Sequence, residues 1–287
     1  NSIVDISPLK NLTNLENAQL RFNLIEDISP LQNCLKIKLI DINKNKVKSL
    51  PSFEGCNQLK QIMAGSNQIS SISGIQNLES LEIIWLVENN ITNISGISNL
   101  PNLKELELAF NNISSITGFK ILNNLEMLNL FDNEITDISF VATMTKLKFL
   151  GLGKNLISDL SPIYNLRNVE FLDLRNVHAK DIGFIANITS LKNIAMDGND
   201  LTNIDVISTL TNLEVLQIAN NNVADISVVT NFKKMKYLDI SGNPVSNIDY
   251  IVDMYLLNTL YLNNTQVTDL APVINCLGMR NNSFLDV

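Results

Sequence analysis

Glu105 and Glu107 come nearest, in this chain, to an acid–base pair. Residues two apart share one face of a strand, so both carboxylates would point the same way. General acid–base catalysis can use such a pair. Two solvated charges on a sheet face have the same spacing, and so does a seat for a partner's lysine or arginine. No further catalytic group accompanies them. The single histidine, His178, lies in R-N-V-H-A-K-D and reads as an exposed turn residue. No metal-ligand spacing, glycine-rich phosphate loop or Ser/His/Asp set occurs in the sequence. The sequence therefore predicts a protein that is not an enzyme and has no cofactor and no metal.

The other chemistry is apolar. Met63, Ile83, Trp85, Val87, Phe110, Met127, Phe131, Phe149 and Phe171 recur along the chain, with Glu105, Glu107, Asp173 and Arg175 among them. Trp85 is the chain's one tryptophan. Tyr237 and Tyr261, with Asp239, form a smaller aromatic pair towards the C-terminus. What these residues can do depends on the elements that carry them.

Those elements repeat. Openings at Ile6, Ile28, Leu50, Ile72, Ile94, Ile116, Ile138, Leu160, Ile182, Ile204, Ile226, Ile248 and Leu270 keep a period of 22 residues. Such a period dictates the architecture. Counting from each opening, positions 1, 4, 7, 10, 13, 15 and 20 are apolar. Position 18 is Asn in most repeats, from Asn23 and Asn45 to Asn221 and Asn243, with Val177 and Thr265 as exceptions. Positions 12 to 16 alternate outward and inward, as Glu105 to Ala109 do, which predicts a half-buried strand. Apolar residues every third position from 1 to 10 suit a 3₁₀ or irregular return turn. One such coil cannot bury its apolar residues alone; stacked coils share a core and pair their strands in parallel. Stacked Asn amides would satisfy backbone groups at each bend. The Asp, Asn or Ser at position 22 would cap the return segment.

This L-x-x-L-x-L-x-x-N-x-I pattern is identified as the leucine-rich repeat. The fold expected is an α/β solenoid, a horseshoe with a parallel sheet on its concave face and 3₁₀ or irregular turns on its convex face. Residues 1–287 read as one domain of about 12–13 repeats. The chain begins within a repeat and shows no clear cap, so the expectation is a fragment of a larger protein. Around Val177 and Ala179 a fault in the ladder is expected, with less buried area and a shifted turn. After Leu277 the pattern fails, because Asn282 falls on buried position 13.

The formal charge is −8 and the pI near 4.7. Nucleic acid needs a basic face, so a basic or neutral protein surface is the better match. Cys34, Cys56 and Cys276 all fall on position 7 and read as reduced core thiols, although Cys34 and Cys56 would be stacked neighbours. No apolar run is long enough to cross a membrane.

Several stretches carry a closer resemblance. D-I-S-P-L-K-N-L-T-N-L-E from Asp5, D-I-S-P-L-Q-N from Asp27, D-L-S-P-I-Y-N-L from Asp159 and T-D-L-A-P-V from Thr268 resemble the internalin family of bacterial surface proteins. That resemblance implies adhesion to a host-cell receptor through the concave face, at the cell surface or in the extracellular space. The stretch W-L-V-E-N-N-I-T-N-I from Trp85 would also suit the leucine-rich regulatory subunit of protein phosphatase 1. That family implies a cytoplasmic targeting role. Pro8, Pro30, Pro162 and Pro272 at position 3 favour the internalin side.

The strand alternation puts positions 12, 14 and 16 on the open face. The apolar set from Met63 to Phe171 is then expected to form a strip over neighbouring strands. Large exposed apolar patches mark interaction sites, and aromatic anchors ringed by charge have the composition of binding hot spots. The expected site is Met63, Ile83, Trp85, Val87, Glu105, Glu107, Phe110, Met127, Phe131, Phe149, Phe171, Asp173 and Arg175, facing a protein partner. Glycan stacking on the same aromatics is a rival reading.

Overall fold

The repeat that opens at Ile94 shows how the chain folds. Ile94, Ile97, Leu103, Leu106, Leu108 and Ile113 are wholly buried and Leu100 nearly so. These are the apolar positions of the 22-residue unit, and all point into one core. The strand between them is short, because only positions 12 to 14 hold ladder geometry before the chain bends. The computed structural model describes residues 1–114, 116, 122–280 and 283–287.

The chain divides into two compact units, Asn1–Leu147 and Lys148–Val287. The first carries strands β1 (Asn17–Gln19), β2 (Leu39–Asp41), β3 (Gln61–Met63), β4 (Ile83–Trp85), β5 (Glu105–Glu107) and β6 (Met127–Asn129). Each pairs in parallel with the next at a constant offset, as Ile84 with Leu106 and Leu106 with Leu128. The second carries β7 (Phe149–Gly151), β8 (Phe171–Asp173), β9 (Asn193–Ala195), β10 (Val215–Gln217), β11 (Tyr237–Asp239), β12 (Thr259–Tyr261) and β13 (Phe284–Asp286), again parallel and in sequence order. Short 3₁₀ turns such as Ser29–Asn33 and Ser161–Asn165 carry the return, with Pro30 and Pro162 in their first turn. Each unit is a leucine-rich-repeat solenoid.

The asparagine ladder holds the bends. Asn111 donates from Nδ2 to Leu108 O (3.0 Å) in its own repeat and to Leu86 O (3.0 Å) in the one before. Its Oδ1 accepts the Ile91 N–H at 3.0 Å. Asn133 and Asn221 repeat the scheme. Asn111, Asn133 and Asn221 are buried, so each amide satisfies backbone groups that water cannot reach. The position-22 residues cap the return by an Asx turn: Asp27 Oδ1 accepts the Ser29 N–H at 2.8 Å, and Asp159 Oδ1 accepts the Ser161 N–H at 2.8 Å. The formal N-cap is the following Ile28 or Leu160, which makes no side-chain cap bond.

Position 17 has a property the spacing does not predict. Phe22, Lys44, Ser66, Glu88, Phe110, Asp132, Lys154, Asn176, Asn220 and Asn264 all sit at φ between 50 and 58. Gly198 and Gly242 occupy the same place. A left-handed residue after each strand turns the chain towards the asparagine. Asn and Gly enter that region readily, whereas Phe22 and Phe110 do so against steric resistance.

The 22-residue spacing does fail after Leu277, yet one further strand, β13, follows and pairs with β12. Leu285 pairs with Leu260, twenty-five residues earlier instead of twenty-two, and is 38% exposed. An α-helical turn, Ala271–Asn275, and a 3₁₀ turn, Gly278–Arg280, absorb the extra residues. Asn282 itself lies outside the described residues.

Cys34, Cys56 and Cys276 are buried free thiols. The Cys276 Sγ donates to Met254 O at 3.4 Å. Burial pushes the Cys34 and Cys56 thiols above their ordinary pKa.

Candidate functional site

In the first unit the open face of the sheet centres on Trp85. The residue is 37% exposed, and the next residue, Leu86, is wholly buried. The register sets Met63 beside Trp85, and Trp85 beside Glu107. The indole Nε1–H donates to Glu105 Oε2 at 3.2 Å, which fixes the ring over the sheet. Met63, Ile83 and Val87 are half-buried around it, and Met127 is half-buried two strands on. A Cβ on Gly65 would stand 2.8 Å from Val87 Cγ1, so the glycine makes room for that valine. Phe110 is 46% exposed and packs against Phe131 with ring centroids 5.4 Å apart. Phe131 is itself buried, so it supports Phe110 and offers little surface of its own.

Glu105 and Glu107 have separate hydrogen-bond partners. Glu105 holds the indole. Glu107 accepts the Ala109 N–H at Oε1 (2.9 Å) and Asn129 Nδ2 at Oε2 (2.9 Å). Burial pushes the Glu107 carboxyl above its usual pKa, and these two hydrogen bonds oppose the rise. Both oxygens thus serve the local structure.

The open face of the second unit has different chemistry. Phe149 and Phe171 stack face to face, 4.5 Å apart at 8°, both half-buried. Asp173 is buried, and Arg175 forks onto it from Nε (3.0 Å to Oδ1) and Nη2 (2.6 Å to Oδ2). Those two charges neutralise each other. Further along, Tyr237 and Tyr261 lie 5.4 Å apart, and Tyr261 and Phe284 5.2 Å. Burial first, then the Asp239 charge, drives the Tyr237 hydroxyl up to about 12. Asp197 is driven up to about 6, mainly by burial, with repulsion from Asp239 and Asp173 outweighing the Arg175 charge.

The ladder fault at Val177 is real. The Val177 and Ala179 N–H groups both donate to Asn199 Oδ1, at 3.1 and 3.0 Å. His178 between them is left-handed, φ 55, a feature the position-19 residues of the other described repeats lack. Val177 has no amide for Ile157, as Asn133 has for Ile113. A groove of about 710 Å³ opens between Asn155–Ser161 and Val177–Phe184. His178, which reads as a turn residue in the sequence, sits on its rim. Among the described residues no group of three His, Cys, Asp or Glu side chains could hold a metal ion. No described helix is long and apolar enough to cross a membrane.

Comparison with known proteins places this architecture. The family of Leucine Rich repeats (2 copies) matches residues 79–121, 123–165 and 211–251. An internalin (inlF) from Listeria monocytogenes superposes with a TM-score of 0.91 at 28% identity, over 100% of this chain and 84% of that one. An internalin C2 from the same species is 30% identical, with a TM-score of 0.52, over 69% of this chain and 75% of that one. The chain belongs to the internalin-like leucine-rich-repeat family. A leucine-rich-repeat protein of Leptospira interrogans shares the fold alone, at 21% identity and a TM-score of 0.80 over 100% of this chain and 82% of that one. No curated protein sequence matches. Relatives of this internalin-like kind are binding scaffolds, in keeping with faces built of aromatic and charged side chains.

Four further features belong to the internalin-like faces. Phe22 is 55% exposed with Lys44 Nζ 5.0 Å from its ring centroid. Asp41 is buried under Arg21 Nε at 3.0 Å. Asp197 and Phe284 belong to the open face of the second unit. Position 11 alternates in sign along much of the chain, giving rungs such as Lys38–Glu16, Lys104–Glu82, Lys192–Glu170 and Lys236–Glu214. That alternation was visible in the sequence at the 22-residue spacing. The phenylalanine at a left-handed position was not.

Proposed function

We propose that this chain is a non-enzymatic protein-binding module. In this reading the open sheet face of the first unit receives a protein partner around Trp85. The observation that carries it is Trp85 itself, a large aromatic held in place by Glu105 and left more than a third exposed where the core has no use for it. Met63, Ile83, Val87, Met127 and Phe110 give it an apolar surround, and Glu88 and Lys44 supply charge at the edge. Exposed aromatic anchors with a polar rim are the usual composition of protein hot spots. The family points to adhesion, with the chain at a bacterial surface or secreted and the partner a host-cell receptor. Phe149, Phe171, Asp173 and Arg175 would take part through the second unit's own face.

The test is affinity capture with mass spectrometry. Wild type and a Trp85→Ala/Phe110→Ala variant are immobilised and exposed separately to a host-cell membrane extract and to cytosol. The expected result is a membrane glycoprotein retained by wild type and released by the variant. A phosphatase retained from cytosol would replace adhesion with a regulatory role. Equal retention by both proteins would remove the site from this face.

A further inference from the structure

The second unit's face holds an aromatic row set between carboxylates. β11, β12 and β13 lie side by side in strict register, which brings Asp239 and Asp286 to either side of Tyr261. The Tyr261 ring also lies between the rings of Tyr237 and Phe284. Tyr237, Tyr261 and Asp286 are half-buried and Phe284 is 50% exposed, so the row is open to solvent.

The carboxylates here lack cations. Asp239 accepts only the Ser241 N–H (3.0 Å), Asp286 only Asn263 Nδ2 (2.9 Å), and Asp197 only the Ala219 N–H (2.8 Å). None of the three has an ion-pair partner among the described residues, whereas the Glu and Lys side chains at position 11 along the same strands pair with one another. Arg175, a cation on this face, is bound to Asp173. The result is a local excess of negative charge on an aromatic floor. The carboxylates are too dispersed to enclose a metal ion.

We infer that this face is a second docking surface, for a protein partner that presents an arginine side chain over Tyr261 between Asp239 and Asp286. The charge and the geometry are complementary. A guanidinium is planar, stacks on a tyrosine ring, and presents forked donors to carboxylates on either side. An ammonium is a more strongly hydrated point charge and uses only part of the site. The chain joins the same groups within itself, with Arg175 forked on Asp173 and Lys44 over Phe22. Burial chiefly raises the Asp197 pKa, and the repulsion from Asp239 and Asp173 that adds to it is relieved when a cation arrives. This surface lies in a different unit from Trp85 and does not depend on the role proposed for it.

The probe is a short fluorescein-labelled glycine–serine peptide carrying paired arginines, followed by fluorescence anisotropy at low ionic strength with the full chain. Versions with lysine or citrulline in place of arginine serve as controls. Saturable binding to wild type and to Trp85→Ala is expected. Asp239→Asn should weaken it about tenfold, as the loss of one charge-assisted contact does. Tyr261→Leu should weaken it by a similar factor while Tyr261→Phe, which keeps the ring, binds as wild type. Asp253→Asn, an equal loss of charge on an exposed turn, should change nothing. The lysine peptide should bind less tightly and the citrulline peptide not at all. The inference is overturned if Asp253→Asn weakens binding as much as Asp239→Asn, because the attraction is then diffuse. Citrulline binding, equal binding of Tyr261→Leu and Tyr261→Phe, or no saturable binding would also overturn it. Should Asp239→Asn fail to fold, the two Tyr261 variants decide. A negative result leaves Trp85-dependent capture standing, so the two readings fail separately.

Discussion

The first unit's face is apolar around Trp85 and spends its carboxylates on holding its own parts: Glu105 on the indole, Glu107 on Ala109 and Asn129. The second unit's face leaves Asp197, Asp239 and Asp286 without cations beside Tyr237 and Tyr261. Beneath both faces runs the same asparagine ladder and the same buried columns. In a stacked-repeat chain the core columns are fixed by packing against identical neighbours, whereas the outward columns have no such constraint. Recognition chemistry can therefore differ strand by strand at little cost to the fold.

The largest expected effect tests the shared frame. Asn133→Ala in the first unit and Asn221→Ala in the second should each cost about 1–3 kcal/mol, because each strands buried backbone groups. Urea unfolding measures both. Very unequal costs would break the equivalence of the two frames.

The next effect separates the faces. Asp197 has a folded pKa of about 6 against an ordinary 3.8. The folded state therefore binds the proton more tightly than the unfolded chain. Stability contributed by the protonated form is full below pH 4, falls as pH rises towards 6, and stays lost above it. Asp197→Asn should stabilise the chain at pH 7 by roughly 1–2 kcal/mol, a value discounted for the carboxyl's partial exposure. It should do little at pH 4. Thermal melts at the two pH values read this difference. Equal effects at both would show that the charge on this face is not strained.

A smaller change would repair the fault beside it. Val177→Asn with Ala179→Ile restores the rung and fills part of the groove. The double variant should gain about 1 kcal/mol through burial and a restored hydrogen bond. A loss of stability would mean that the left-handed turn at His178 is locked by other contacts.

Smallest for stability is Trp85→Ala, expected within ~0.5 kcal/mol of wild type, as for a surface site. Its effect belongs to binding. A large fall in melting temperature would make Trp85 structural and remove the apolar anchor from the comparison.

The frame was legible because its columns repeat: Leu106 and Leu108 read as core, and Asn111 as a bend residue, because the same positions recur every 22 residues. The three-residue offset that brings Leu285 into register had no repeat to be measured against. On the faces, sequence named Trp85, Tyr237 and Tyr261 through their alternation with buried neighbours, and Phe110 just beyond it. It could not see that Phe131 is buried against Phe110, or that Arg175 consumes Asp173, since both depend on side-chain direction. Asp197 went unnoticed because a lone carboxylate at position 16 gains meaning only beside Asp239 and Asp173.

The central claim is that Trp85 meets a partner. Incorporating fluorotryptophan labels this one site, since Trp85 is the chain's single tryptophan. Fluorine NMR would then be recorded while the captured partner is titrated in. The account predicts a shifted, broadened resonance that saturates with binding and loses its solvent-isotope response. Saturable binding with an unchanged resonance would contradict it and place the contact elsewhere on the chain.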